Sequence, residues 1–344
     1  MPHRPFSSIL VVGSFDGVHL GHQALVAEAV RLRDKLGAKR VVALAFDPSP
    51  RMVLRPGSEP ARLTTFDRRA GYLKACGADE VVKLVPTPEL LGMEPEAFIT
   101  ELHERYTAAG MIEGEDFRFG KGRRGDLTML RALGVAKGIA VLTVPPVETA
   151  GLDQQIVTVS STRIRALLGA GRVGDAAVLL GRRYELGGTV VRGQQRGRTI
   201  GFPTANVEPE AADQCLPADG VYAAEAVLAD GRVFPAALNI GTRPTVGGTS
   251  RTIEPHLIGA PREAGGGPAI QGLPEYGWTV TLRFAAFLRE QVRFAGLDAL
   301  KEQLGRDVKR AGEMLSVGAG GAGGAGLGEA KVRSAGGVGA GANL

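Results

Sequence analysis

Two of the chain's five histidines, His19 and His22, stand three residues apart in Val11-Val12-Gly13-Ser14-Phe15-Asp16-Gly17-Val18-His19-Leu20-Gly21-His22. A strand-sized apolar run precedes them and a helical pattern follows. In a parallel α/β sheet such a turn sits at the carboxyl end of a strand, where ligands bind. Gly13 and Gly17 let backbone approach a ligand closely. Free N–H groups at the helix start favour a phosphate, and two imidazoles beside them add further donors. The chemistry this suits is polarisation of the phosphates of a nucleoside triphosphate. A lone histidine here would more often be structural; a pair in H-x-G-H favours function. No G-x-x-x-x-G-K-[ST] occurs anywhere, and Gly120-Lys121-Gly122 is too short and lacks the hydroxyl, so a P-loop is excluded.

A second constellation runs Val191-Arg192-Gly193-Gln194-Gln195-Arg196-Gly197-Arg198-Thr199-Ile200-Gly201-Phe202-Pro203-Thr204-Ala205-Asn206. Thr204 and Asn206 are two residues apart, so on an extended segment they face the same side. Their neutral oxygens suit Mg²⁺ held mainly by nucleotide phosphates and water, under a basic, glycine-containing flap. Taken alone, the same residues also fit an RNA-backbone contact or an ordinary turn. Smaller signals lie between. Ser161 and Thr162 precede an apolar-periodic run, so they suit a helix N-cap whatever the function. Arg163 and Arg165 offer fixed positive charge to a polyphosphate, and Asp116 with Arg118 reads equally as a surface ion pair.

The elements that must position these groups fall into two rhythms over 344 residues, 44% of them apolar and 22% charged, a globular balance. In residues 1–181, apolar runs at Ile9–Val12, Val41–Phe46, Glu80–Val85 and Ala140–Val144 alternate with helical stretches at Gln23–Leu36, Asp67–Ala75, Pro95–Ala108 and Leu127–Leu133. Ser161–Leu168 and Gly174–Leu180 read as two closing helices. This order predicts a doubly wound parallel sheet. Residues 182–315 carry β-rich runs at Tyr184–Val191, Gly220–Leu228, Val233–Ile240, Ile253–Leu257 and Trp278–Phe287, then an amphipathic helix from Leu297. That pattern predicts an antiparallel barrel with a terminal helix. Residues 316–344, mostly Gly and Ala, read as a disordered tail. Its Gly318-Ala319-Gly320-Gly321-Ala322-Gly323 matches G-x-G-x-x-G only through composition, with no strand before it.

No run approaches membrane-helix length, and two cysteines cannot make a disulfide framework; a cytoplasmic protein is expected. A net charge of +5 favours anionic partners without naming them.

At this point the motifs resemble those of a known family. Gly13–His22 is similar to the nucleotidylyltransferase signature, and the string G-x-F-D-G-V-H-x-G-H-Q resembles the bacterial bifunctional riboflavin kinase/FMN adenylyltransferase (FAD synthetase) family. Gly114–Gly120 with Gly125-Asp126, Ser160–Arg165, and Phe46-Asp47-Pro48-Ser49-Pro50 follow the same family, which usually has His where Ser49 stands. G-x-x-R-G-R-x-I-G-F-P-T-A-N resembles its riboflavin kinase signature. Gly220–Ala223, Asn239–Thr245 and Ile253–Leu257 keep its order, and an insertion, Gly259–Leu273, departs from it.

The resemblance covers about residues 7–312. It implies a Rossmann-like nucleotidylyltransferase domain, then a Greek-key β-barrel. It implies ATP and FMN contacts at Gly13, Phe15, Asp16, Gly17, Asp116, Arg118, Ser161, Thr162 and Arg165, with His19 and His22 catalytic. In the barrel it implies nucleotide and flavin contacts at Gly197, Arg198, Gly201, Pro203, Arg289 and Phe294. Thr204 and Asn206 would ligate Mg²⁺, and Glu254 would be the general base. The implied activity is ATP-dependent phosphorylation of riboflavin to FMN and adenylylation of FMN to FAD, with small molecules as the partners and neither nucleic acid nor membrane. Two rivals remain: another nucleotidylyltransferase with a binding barrel, and a nucleic-acid-binding protein using Arg182–Arg198. The low aromatic content, 5%, disfavours the second because base stacking needs aromatic rings.

Overall fold

The computed structural model describes residues 7–193, 201–245, 248–262 and 269–319. Gly197 and Arg198, assigned above to the kinase flap, lie outside the described residues, as does 320–344 of the expected tail.

The N-terminal half begins with β1 (Ser8–Gly13), α1 (Leu20–Leu36), β2 (Arg40–Phe46), α2 (Pro50–Leu54), α3 (Phe66–Ala75) and β3 (Glu80–Leu84). It continues with α4 (Pro88–Leu91), α5 (Pro95–Tyr106), β4 (Ala108–Gly114), α6 (Leu127–Lys137) and β5 (Ala140–Val144). A short hairpin, β6 (Glu148–Ala150) and β7 (Ile156–Thr158), then leads into α7 (Ser161–Gly169) and α8 (Val173–Leu180). The five main strands pair in parallel in the order β3-β2-β1-β4-β5. Strand β1 is buried on both faces: Leu10 and Val12 pack with Phe98 and Leu130, Ile9 and Val11 with Val26 and Leu73. That explains its unbroken apolar run. The order reverses between β1 and β4, so the crevice beyond their carboxyl ends is where this topology places a ligand.

Strand β4 is the main departure from the sequence reading, which carried the preceding helix to Ala108 and placed no strand after it. The helix stops at Tyr106, with Thr107 in the left-handed region at φ 50°, and the chain enters the sheet at once. Ala108-Ala109-Gly110 lacks the β-branched signature of a strand because α1 presses on it. A Cβ on Gly110 would lie 2.7 Å from Leu32 Cδ2 and 3.1 Å from Ile9 Cδ1. Gly110→Ala is therefore expected to destabilise the chain by about 1–3 kcal/mol through overpacking. Chemical denaturation checks this, and an unchanged midpoint would mean that α1 gives way freely.

The C-terminal half comprises β8 (Glu185–Val191), β9 (Asn206–Pro209), β10 (Gly220–Leu228), β11 (Val233–Thr245), β12 (Gly248–Leu257), β13 (Thr279–Arg289) and α9 (Leu297–Ala319). The strands pair antiparallel in the order β12-β11-β10-β13-β8-β9. Ala205 N donates to Pro255 O at 3.0 Å, bringing the β9 edge against β12, so the sheet is nearly closed. The connections from β9 to β10 and from β12 to β13 cross between non-neighbours, as in a Greek key. Helix α9 lays Ala311 and Leu315 over Val221, Ala223, Ala237 and Leu288 on the outside of the barrel. It runs to Ala319, so the chain is still helical at Ser316, where the tail was expected to begin. Strand β12 likewise starts at Gly248 rather than Ile253.

The halves share one apolar core: Ile164, Leu168 and Leu179 of α7 and α8 join Tyr184, Tyr222 and Phe284 of the barrel. Gly181, at φ 68°, ends α8 and turns the chain into Arg182 and the barrel.

Candidate active sites

Beyond β1 the chain makes a tight turn in which Val18 N donates to Phe15 O at 3.0 Å. Three of its residues are left-handed: Phe15 (φ 49°), Gly17 (φ 84°) and Val18 (φ 39°). Left-handed backbone at a non-glycine residue costs roughly 1–3 kcal/mol and persists only where surroundings over-determine it. Asp16 supplies much of that. Its carboxylate accepts from Leu63 N and Thr64 N at 3.0 Å and pairs with Arg165. Gly17 N donates to Thr64 Oγ1 at 3.1 Å, and Ser161 Oγ donates to Asp16 O at 2.8 Å. Buried Arg69 ties the neighbouring strand ends together through Ser14 O, Phe46 O and Asp47.

The turn delivers His19 as the residue before α1, with its side chain free of any capping bond. The His19 and His22 rings stack 3.7 Å apart at 18°, and Phe15 meets His22 edge-on at 5.3 Å. His19 is 7% exposed. Burial pulls its pKa down to about 4, with Asp16 opposing and Arg182 and Arg165 reinforcing. Burial, then His19 and Arg69, holds His22 well below the usual imidazole range. Both rings are neutral at pH 7. Neither Nδ1 has a hydrogen-bond partner among the described residues, so each ring retains capacity for a ligand.

A cleft of about 1270 Å³ opens here. Gly13, Phe15, His19, His22, Asp116, Arg118, Ser161 and Thr162 line it, as Ser49 does, while Asp16, Gly17 and Arg165 stand behind it. Arg165 also donates to Ala61 O at 2.7 Å. Asp16 and Arg165 are each other's partners and together brace the turn. The N-cap of α7 is Ser160, whose Oγ accepts from Arg163 N at 3.2 Å, not Ser161 or Thr162. Ser49 caps α2 by accepting from Arg51 N.

Sequence reasoning missed one residue of this cleft. Glu113 in β4 is 1% exposed and its Oε1 accepts from Val12 N at 3.0 Å. The β1–β4 pairing runs only to Leu10↔Met111, and the Glu113 side chain takes over where it ends. The residue was invisible because its strand was. Burial, opposed by the Val12 bond and aided by Asp116, raises its pKa well above the usual carboxyl range. It follows that the folded chain holds a proton there that the unfolded chain releases near the ordinary carboxyl value of 4.5, and stability falls as pH rises from that point. The slope is at most about 1.4 kcal/mol per pH unit and ends once Glu113 ionises in the folded chain. Glu113→Gln keeps an acceptor for Val12 N and removes this loss. It should be the more stable chain at pH 8, with the gap closing toward pH 4.5, as read by denaturation under circular dichroism. A gap that does not change with pH would contradict it.

In the barrel, Pro203, Thr204 and Asn206 share a small cavity, about 50 Å³, with Pro255, Leu257, Tyr276 and Trp278. The His256 ring, edge-on to Phe202, donates from Nδ1 to Pro203 O at 2.9 Å and fixes the turn, and Gly201 takes φ 86°. Arg262 and Ile270, from the insertion, also line this cavity. Glu254 does not. Pro255 faces the cavity, so its neighbour Glu254 points to the opposite face of β12, level with Asn239 in β11. Asn239 Oδ1 there accepts from Gln291 Nε2 at 3.0 Å. Arg289 is bidentate to the buried Asp307 of α9, Nη2–Oδ2 at 2.7 Å and Nε–Oδ1 at 3.0 Å, with its guanidinium 5.8 Å from the Phe294 ring centre. That pairing anchors α9 to the end of β13.

Among the described residues no three His, Cys, Asp or Glu side chains gather to hold a metal. Thr204 and Asn206 offer neutral oxygens in one cavity, a donor set that fits a magnesium ion whose other ligands are phosphate and water.

The FAD synthetase family model matches residues 2–163 and the riboflavin kinase family model residues 180–315. The chain is 34% identical over 313 residues to a bifunctional riboflavin kinase/FMN adenylyltransferase of Escherichia coli K12, covering 90% of this chain and 93% of that protein. It is 35% identical to the Pseudomonas fluorescens protein of the same description, covering 88% and 91%. A solved structure titled macrolide-efflux protein, from Streptococcus pneumoniae, superposes with a TM-score of 0.77 at 29% identity over 89% of this chain and 94% of that one. The efflux in that title is not carried over; among the described residues no helix is long and apolar enough to cross a membrane.

Proposed function

The chain belongs to the bifunctional riboflavin kinase/FMN adenylyltransferase family, and from that membership we propose which residues carry each reaction. It phosphorylates riboflavin to FMN with ATP, and adenylylates FMN to FAD with release of pyrophosphate.

Adenylylation is assigned to the cleft between β1 and β4. A phosphate oxygen of FMN attacks the α-phosphorus of ATP, and the bond from that phosphorus to the bridging oxygen of pyrophosphate breaks. No covalent intermediate on the protein is needed, so catalysis rests on alignment and on stabilising charge on the phosphate oxygens. The stacked pair of His19, buried, and His22, half-buried, is the observation that carries this assignment. Two neutral rings, stacked at the start of α1, present N–H donors to an anion without repelling each other as two cations would. The first N–H groups of α1 add to them. Ser161 and Thr162 at the start of α7 supply hydroxyls beside the turn; Asp116, Arg118 and Phe15 border the same space. Asp16 and Arg165 act one step back, as braces.

Phosphorylation is assigned to the barrel. Mg²⁺, bound with the nucleotide, would neutralise phosphate charge there, and Thr204 with Asn206 would hold it. Glu254 takes the proton from the ribityl 5′-hydroxyl as that oxygen attacks the γ-phosphorus. Its place on β12 beside Asn239 and Gln291 supports an approach of the flavin from the outer face, near Phe294. The two free cysteines, Cys76 and Cys215, are consistent with the cytoplasm as the working compartment.

Incubating the chain with riboflavin, ATP and Mg²⁺ and separating the flavins by chromatography should show FMN first and FAD after it. His22→Ala should stop at FMN. FAD formation undiminished in His22→Ala would overturn the assignment of the cleft.

A further inference from the structure

We propose that Arg182, the first residue after the two-domain junction, is a positioning residue for FAD formation: it holds the His19–His22 turn in its strained shape from the barrel side. The inference rests on the assignment of adenylylation to that turn.

Val18 is a β-branched residue at φ 39° and fully buried, a conformation that reverts unless something fixes its flanking peptides. Two side chains do so: Arg182 from the junction, and Gln23 from α1, which is also tied to the end of α8. Arg182 donates from Nη2 to Gly17 O at 2.7 Å and from Nη1 to Val18 O at 3.1 Å. Gln23 Nε2 donates to Val18 O at 2.9 Å and to Leu180 O at 2.8 Å, the last residue of α8. The bracing by Asp16, Thr64 and Ser161 ends at Gly17 N; the carbonyls of Gly17 and Val18, immediately before His19, answer to Arg182 and Gln23.

Arg182 is in turn fixed by the barrel. Its guanidinium lies 3.7 Å over the Tyr72 ring, a stack that a planar cation makes and an ammonium does not reproduce. The Tyr72 hydroxyl donates to Glu185, the first residue of β8, which also accepts from Arg283 of β13 at 2.9 Å and Arg68 of α3 at 3.2 Å. A chain of contacts therefore runs from two barrel strands, through Glu185, Tyr72 and Arg182, to the carbonyl that precedes the first catalytic histidine. Among the described residues nothing comparable links Arg182 to Thr204 or Asn206, so the kinase half should not depend on it.

The test uses the full-length chain with Arg182→Ala and Arg182→Lys, assayed separately for riboflavin phosphorylation and for FAD formation from supplied FMN. In Arg182→Ala, FAD formation is expected to fall about tenfold in kcat, with KM for ATP raised about tenfold. The kinase constants should stay within two-fold. Lys should fail to restore FAD formation, lacking the fork and the stack, whereas added guanidinium at tens of millimolar should partly restore it in the Ala chain. A loss of folded protein would lower kcat with KM unchanged, would not respond to guanidinium, and would overturn the proposal; so would FAD formation within two-fold of the parent. His22→Ala, run alongside, separates the two readings. If it too leaves FAD formation intact, the site assignment fails; if only the Arg182 variants do, the positioning role alone fails.

Discussion

His22→Ala is expected to lower FAD formation from supplied FMN by about 10²–10³-fold, the range found when one preorganised donor to a developing oxyanion is removed, and to leave riboflavin phosphorylation within two-fold. The size follows from the ring's situation. His22 is half-buried, neutral and packed between His19 and Phe15, so its N–H is held in place before the charge develops. The selectivity follows from distance in the fold: the cleft draws its walls from the N-terminal half, whereas Thr204, Asn206 and Glu254 sit in the barrel. Steady-state assays of each half-reaction check it. A parallel loss of both activities in a folded chain would contradict the separation of the sites.

Glu254→Gln gives the mirror image. The amide keeps the shape of the carboxylate and cannot take a proton, so riboflavin phosphorylation should fall by about 10²–10⁴-fold, the usual contribution of a positioned base, with KM for riboflavin little changed. FAD formation from supplied FMN should be untouched. The two variants also make a joint forecast: mixed together with riboflavin and ATP they should produce FAD, because FMN made by the His22→Ala chain can reach the intact cleft of the Glu254→Gln chain. No FAD from the mixture, with each single half-reaction as expected, would mean that FMN cannot pass between chains. Retained kinase activity in Glu254→Gln would mean that the outer face of β12 is not where the alcohol loses its proton.

Much of this was legible in the sequence because the phosphate-handling segments are local. Gly13–His22 announces a strand, a tight turn and a helix start within ten residues, and Pro203–Asn206 an extended pair of oxygens; each then occupies the predicted type of position. Strand β4 was not legible, since Gly110 serves a contact with Leu32 of α1 that no local pattern records; losing that strand also hid Glu113. The ion pairs that hold several of the named residues were not legible either. Arg165 read from its type as a charge offered to a polyphosphate, and the family resemblance placed Asp16 and Arg289 at ligands; partners distant in the chain engage them, Asp16 with Arg165 and Arg289 with Asp307. Spacing shows which side chains share a face of one element, not which element will neutralise them. Arg182 was noticed only as part of a basic run; its role depends on Tyr72, more than a hundred positions away.

That each chain grips two triphosphates, one between β1 and β4 and one in the barrel, is tested most directly by calorimetric titration of the full-length protein with an ATP analogue that neither site turns over, in the presence of Mg²⁺. Two analogue molecules per chain are expected, falling to one in His22→Ala as the cleft loses its grip. A single molecule bound per parent chain, at concentrations where both half-reactions run, would contradict it.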